Sequence, residues 1–175
     1  MDAEERRMHI VRMLSEEQNP VSAASLARSM QVSRQVIVGD IALLRAGGHD
    51  IIATARGYMA AARQQPPAGR YMGKIACRHN AADTEKELLA IVGLGGEALD
   101  VIVTHPLYGD MTGQLNLASR RDVEEFAAKI KNGQGKLLSE LTDGVHLHTV
   151  ACRDKAAFTA IVEELGRLNF LYRTE

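Results

Sequence analysis

Apolar positions in the first sixty residues recur at helical spacing three times. Between Glu4 and Glu17, Met8, Val11 and Leu14 follow the helical period, and Asn19-Pro20 stops the run. Ser22 is a good N-cap for a short helix that turns Leu26, Ala27 and Met30 inward. After Gln31-Val32, Ser33 caps a third helix whose Ile37, Ile41 and Leu44 stand at i, i+4 and i+7, and Gly47-Gly48 ends it. The period then shortens. Ile51-Ile52-Ala53-Thr54 and Tyr58-Met59-Ala60 are strand-like runs around Ala55-Arg56-Gly57, which predicts a hairpin.

Beyond residue 70 the pattern alternates strand and helix. Tyr71 to Arg78 reads as strand, Thr84 to Val92 as helix, and Gly93-Leu94-Gly95-Gly96 as its stop. Leu99 to Thr104 and Met111 to Leu117 are strands joined by the turn Pro106 to Asp110. Ser119 caps a helix reaching about Lys131, Val145 to Cys152 is a strand, Asp154 caps a helix to about Gly166, and Phe170 to Arg173 closes as a strand. The predicted class is α/β (α+β): an N-terminal winged helix-turn-helix and a C-terminal βαββαβαβ domain, with one sheet covered by helices.

One break in composition separates the two. Arg63-Gln64-Gln65-Pro66-Pro67-Ala68-Gly69-Arg70 has consecutive prolines, which fix φ, remove backbone donors and bias Gln65 away from helix. The expected organisation is therefore a domain over 1–63, a linker over 64–70 and a second domain over 71–175.

Composition narrows the classes. The chain has 175 residues, 46% hydrophobic and 25% charged, which is ordinary globular composition. No run approaches the roughly 20 apolar residues of a membrane span, and the charged Met1-Asp2-Ala3-Glu4-Glu5-Arg6-Arg7 does not read as a secretory signal. With two cysteines, Cys77 and Cys152, the chain fits a reducing compartment, so a cytoplasmic protein without a membrane partner is expected. Lys and Arg total 21 against 22 acids, so overall charge does not select a partner. Trp is absent, and the four Tyr and three Phe argue against a surface built on aromatic stacking.

The first domain has the makings of a DNA reader. A helix whose first turns protrude fits the major groove. Here those turns carry Arg34, Gln35, Val36 and Val38, while Ile37, Ile41 and Leu44 face the neighbouring helices. Ser33 and Arg34 at the helix start suit a phosphate, and Arg56 at the hairpin tip suits a backbone or minor-groove contact. Residues 1–63 hold eight Arg against seven acids, a formal +1, so a protein-binding winged helix is the competing reading. The stretches Asn19 to Ala27 and Val32 to Arg45 resemble the winged helix-turn-helix of bacterial regulators, including the DNA-binding part of the biotin repressor. Ala55-Arg56-Gly57-Tyr58 resembles the wing tip that follows. The resemblance implies a double-stranded DNA operator as partner. Gly39 departs from it, where relatives commonly carry a polar side chain.

The second domain carries the sharper chemistry. Residues at i and i+2 of a strand point to one face, so His146 and His148 stand side by side and can chelate a divalent metal. His79 ends another strand, and one or two turns of the following helix can fold Glu87 back over it. Three imidazoles and a carboxylate make a competent four-ligand set. Glu85 competes for the acidic role from a different helix face. Cys77 and Cys152 read as small buried apolar residues, with sulfur ligation as the alternative. His105 ends a strand, where ligand sites gather in α/β domains, so His105 and the nearby Tyr108 are candidate effector contacts.

Cys77-Arg78-His79, Glu87-Leu88-Leu89, Asp100 to Gly109 and Leu138 to Thr149 resemble the three-histidine domain of the niacin-responsive transcription repressors. That resemblance implies a divalent metal (Ni, Zn or Fe) held by His79, Glu87, His146 and His148. It also implies nicotinic acid as co-repressor at genes for NAD synthesis or niacin uptake, and a homodimer. The expected function is thus a DNA-binding repressor that senses nicotinic acid and is not an enzyme. Two competing readings are a metal-dependent hydrolase with an appended winged helix, in which the metal activates water, and a purely structural metal site.

Overall fold

The computed structural model describes residues 2–46, 49, 51–54, 56–60, 69–105 and 107–172, apart from the side chains at positions 42, 45, 46, 104 and 109. The expected Gly47-Gly48 stop, Ala55, most of the 64–70 linker, Pro106 and Arg173 lie outside the described residues. The chain divides into two compact units, Met1–Gln65 and Pro66–Glu175. Among the described residues no helix is long and apolar enough to cross a membrane.

In the first unit, α1 (Ala3–Glu16) starts in a capping box formed by Asp2 and Glu5. Ser22 caps α2 (Ala23–Met30) by accepting from the Ser25 amide. That helix ends at Gln31, whose left-handed φ of 55° makes the tight turn into α3 (Arg34–Ala46). Ile10, Leu14, Leu26, Met30, Ile37, Ile41 and Leu44 form the shared core, and Arg6 Nε meets Asp40 Oδ2 at 2.6 Å to tie α1 to α3. Strands β1 (Ile51–Thr54) and β2 (Gly57–Ala60) pair antiparallel, Ile51 opposite Ala60. Gly57 is required there. Its φ is +145°, and a Cβ would collide with the carbonyl of Val21, whose backbone exchanges two hydrogen bonds with Tyr58.

The second unit runs β3 (Tyr71–Arg78), a 3-10 turn (Ala81–Asp83), α4 (Thr84–Gly93), β4 (Glu97–His105), β5 (Gly109–Leu117), α5 (Arg120–Lys131), a 3-10 helix (Leu138–Thr142), β6 (Val145–Cys152) and α6 (Lys155–Arg167). Its four strands lie in the order β5-β4-β6-β3, with every neighbouring pair antiparallel. One face is covered by the helices, enclosing Ile75, Leu88, Ile91, Leu117, Val123, Val150, Ile161 and Leu165. Alternation in β6 turns His146, His148, Val150 and Cys152 to that covered face, so the two histidines continue the row of the core.

One expectation needs correction, and one element is additional. The closing strand reduces, among the described residues, to a bridge between Leu171 and Cys77, flanked by Arg78 N–H to Phe170 O and Tyr172 N–H to Ala76 O. The segment after α5 is helical at Leu138–Thr142, which the polar pattern Ser139-Glu140-Leu141-Thr142 does not announce. Its start is held by Glu140, whose carboxylate accepts from the Leu137 amide at 2.7 Å.

Ile161 is fully buried where α6 meets the sheet, and Ile161→Ala should cost about 2–5 kcal/mol. Denaturant unfolding followed by a probe in the second unit measures this; a loss below about 1 kcal/mol would contradict the packing.

Candidate metal centre and nucleic-acid surface

Three elements deliver the histidine cluster. Strand β6 contributes His146 and His148, the end of β3 contributes His79, and α4 lays Glu87 across them. The Glu87 carboxylate is 1% exposed. His146 Nε2 is 3.0 Å from its Oε1, and His148 Nε2 is 3.2 Å from Oε2. His79 Nε2 is 2.7 Å from Oε2 without the alignment of a hydrogen bond. The rings of His79 and His146, and of His146 and His148, meet edge to face with centroids 4.9 and 4.8 Å apart.

The opposite edge of each ring is equally committed. His79 Nδ1 lies 2.8 Å from Asn80 O, His146 Nδ1 2.8 Å from Gly144 O, and His148 Nδ1 2.7 Å from Asp100 O. A carbonyl only accepts, so each Nδ1 carries a proton and each neutral ring keeps its lone pair on Nε2. Three lone pairs facing one buried carboxylate repel it unless cationic charge stands among them. Protons supply that charge in acid; a divalent metal supplies it through three nitrogen donors and one oxygen donor. The donor set therefore fits the implied metal.

Local backbone features hold these contacts. Between Ala98–Val150 and Ile102–Leu147 the β4–β6 register slips by one, a bulge on β4 at the level of Asp100. There the Asp100 carbonyl accepts from His148 while its carboxylate accepts from the Thr149 amide at 2.9 Å. Gly144 has φ +82° and passes so close to the His79 carbonyl that a Cβ would collide with it. This approach brings His79 beside His146.

Electrostatics follow from burial. Burial pulls His148 down, but the Glu87 charge and hydrogen bond more than reverse it, so its pKa is raised. Burial also pulls His79 down, but the Glu87 carboxylate 2.7 Å away and the Asn80 carbonyl outweigh it, so its pKa is raised as well. Burial would lift Glu87, yet the charge on His148 and the imidazole hydrogen bonds hold it well below the usual carboxylate range. Cys77 offers its Sγ within 4.8 Å of ligand atoms on Glu87 and His146. Burial, then the Glu87 charge, push its thiol far up, which favours neutral S–H. Glu85 faces away and pairs with Lys131 Nζ at 3.1 Å. Cys152, at the far end of β6, donates to Asp154 O.

Beside the cluster lies a small cavity of about 30 Å³. Val101, Leu115, Phe126 and Leu138 wall it, and Thr84 and Ser139 add hydroxyl groups. Sequence pattern alone does not single out these cavity residues. Thr84, three positions before Glu87, was discoverable from helical spacing; Asp100 was not, because it acts through a carbonyl that every residue possesses. The structure does not bring His105 and Tyr108 to this cavity. They sit at the β4–β5 turn with stacked rings 4.8 Å apart, and His105 Nδ1 accepts from the Leu107 and Tyr108 amides.

In the first unit, Ser33 accepts from the Val36 amide, and Ser33, Arg34, Gln35, Val36 and Val38 are exposed while Ile37 and Ile41 are buried. Arg56 lies at the β1–β2 turn, half-buried, its amide donating to Thr54 Oγ1.

Comparison with known proteins matches residues 6–59 to an HTH domain and residues 72–174 to the 3H domain. The chain is 44% identical over 171 residues to the transcription repressor NadR of Bacillus subtilis, covering 96% of this chain and 93% of that protein. It is 39% identical over 168 residues to the probable transcription repressor NiaR of Thermotoga maritima, covering 96% and 94%.

The pH response of the metal-stripped protein tests the network. The raised His79 and His148 contribute stability that is complete below their ordinary 6.5 and is lost as pH rises through their folded values. The lowered Glu87 contributes stability that is complete above its ordinary 4.5 and is lost as pH falls through its folded value. The second unit should melt highest between pH 4.5 and 6.5 and lose stability as pH rises above that window. Added nickel or zinc replaces the protons and should remove the alkaline fall. A metal-free melting temperature that stays flat as pH rises above the window would contradict the network.

Proposed function

The chain belongs to the family of transcription repressors that join an HTH domain to a 3H domain, and from that premise we propose that it is a DNA-binding repressor of NAD metabolism whose second domain holds a divalent metal and senses nicotinic acid as co-repressor. The observation that carries this reading is the convergence of three imidazole Nε2 atoms on one buried carboxylate beside a small, largely apolar cavity. His79, Glu87, His146 and His148 would hold the metal, which supplies positive charge and an open coordination position.

Charge favours a monocarboxylate. Glu87 against a divalent ion leaves one positive charge in a buried site, and burying net charge is costly. A monoanion such as nicotinate brings the site to neutrality, whereas nicotinamide leaves it charged and a dicarboxylate such as quinolinate overshoots. The cavity's apolar walls, Val101, Leu115, Phe126 and Leu138, suit the faces of a flat ring.

The same lining speaks for a sensor over a hydrolase. Beyond the donor set, the described lining residues offer Thr84 and Ser139 as their polar side chains, and neither an imidazole nor a carboxylate to serve as general base. Regulation requires that nicotinate bind the DNA-competent arrangement more tightly than the alternative. A homodimer would present two α3 helices to half-sites one helical turn, or a multiple, apart. Ser33, Arg34, Gln35, Val36, Val38 and Arg56 are the proposed DNA contacts.

Fluorescence anisotropy on duplex DNA selected by the protein from a random library tests the reading. With saturating metal, nicotinate should tighten binding about 10-fold or more. His148→Ala should abolish that response and spare basal binding, while Arg34→Ala should weaken binding with or without nicotinate by about 1–3 kcal/mol. Unchanged DNA affinity on adding nicotinate to the metal-loaded protein would overturn the sensor.

A further inference from the structure

We propose that the Thr84 hydroxyl is the group that receives the carboxylate of the small aromatic acid bound beside the histidine cluster. The inference rests on the effector reading above and assigns a specificity-determining residue within it. Thr84 is 8% exposed, and its Oγ1 is buried without a hydrogen-bond partner among the described residues. Buried hydroxyls are costly to leave unpaired, and folded proteins seldom do so without a use for them. A threonine in a helix commonly returns its hydroxyl to the chain one turn back; this one does not.

Its position explains the alternative. Thr84 begins α4 and precedes Glu87 by three residues, so both project from one helix face into the same cavity, about 4.5 Å apart along the axis. The walls between are apolar: Leu115, Leu138 and the Phe126 ring. A cation-binding cluster, apolar walls and a buried, unpartnered hydroxyl match in chemistry an aromatic ring carrying a lone-pair nitrogen and a carboxylate. Ser139 lines the cavity too, but its hydroxyl is not among the buried unpartnered groups. The nitrogen serves the metal, and Thr84 donates its O–H to the carboxylate. Valine keeps the shape of threonine and deletes the donor, so the substitution isolates that hydrogen bond.

The experiment is calorimetric titration of nicotinate into nickel-loaded full-length protein, with nickel affinity measured in parallel. Thr84→Val should weaken nicotinate binding about 10- to 100-fold, the range for a hydrogen bond to a charged group. Nickel affinity should stay at the wild-type level, and Thr84→Ser should recover most of the nicotinate affinity. Nicotinate binding by Thr84→Val equal to wild type would overturn the assignment and leave the hydroxyl to a bound water, with the effector reading intact. Loss of nickel by Thr84→Val would assign the residue to the fold and also overturn it. Failure of nicotinate to bind the wild-type protein would remove the effector reading itself, and this assignment with it.

Discussion

A carboxylate buried to 1% exposure has to be neutralised where it stands, and the second unit is organised around the way Glu87 meets that requirement. It meets three imidazoles at 2.7–3.2 Å instead of a lysine or arginine. The choice matters chemically. A permanent cation would close the account for good, whereas imidazoles carry the charge only when protonated and otherwise offer lone pairs. The same four side chains can thus trade protons for a metal, and the folding of α4 onto the sheet is tied to what occupies the space between them.

The outer edge of the cluster is built from backbone. Asn80, Gly144 and Asp100 present carbonyls to the three Nδ1 atoms. These acceptors do not titrate, so the tautomer of each ring is set independently of solution conditions. Two departures from regular strand geometry make the arrangement possible: the β4 bulge that turns the Asp100 carbonyl to His148, and the positive φ of Gly144 that lets the chain pass against His79. Both sit where a regular ladder would have used those groups for pairing.

The division of labour between the units follows from where polarity is buried. In the first, the buried polar contact of Asp40 with Arg6 joins two helices and leaves the start of α3 exposed as a reading surface. In the second, burial concentrates titratable groups next to a small cavity, the setting for ligand recognition.

Periodicity made most of the elements legible from the chain alone, because α1, α3, α4 and β6 each bury one face and so alternate in sequence at the period of their geometry. The Pro66-Pro67 break, the Ser22 cap and the His146/His148 pair are equally local signals. The meeting of His79 with Glu87 was inferable, since a short turn joins their elements. Other features were not legible. The strand order β5-β4-β6-β3, the bulge at Asp100, the approach of Gly144 to His79 and the placing of Thr84 and Phe126 on one cavity arise between segments distant in sequence. His105 illustrates the difference: a strand end reads as a ligand site, yet its Nδ1 serves a turn. Sequence determined which residues face a common interior; only the packed structure decided which of them touch, because contact depends on register and helix docking, and these are settled by long-range packing.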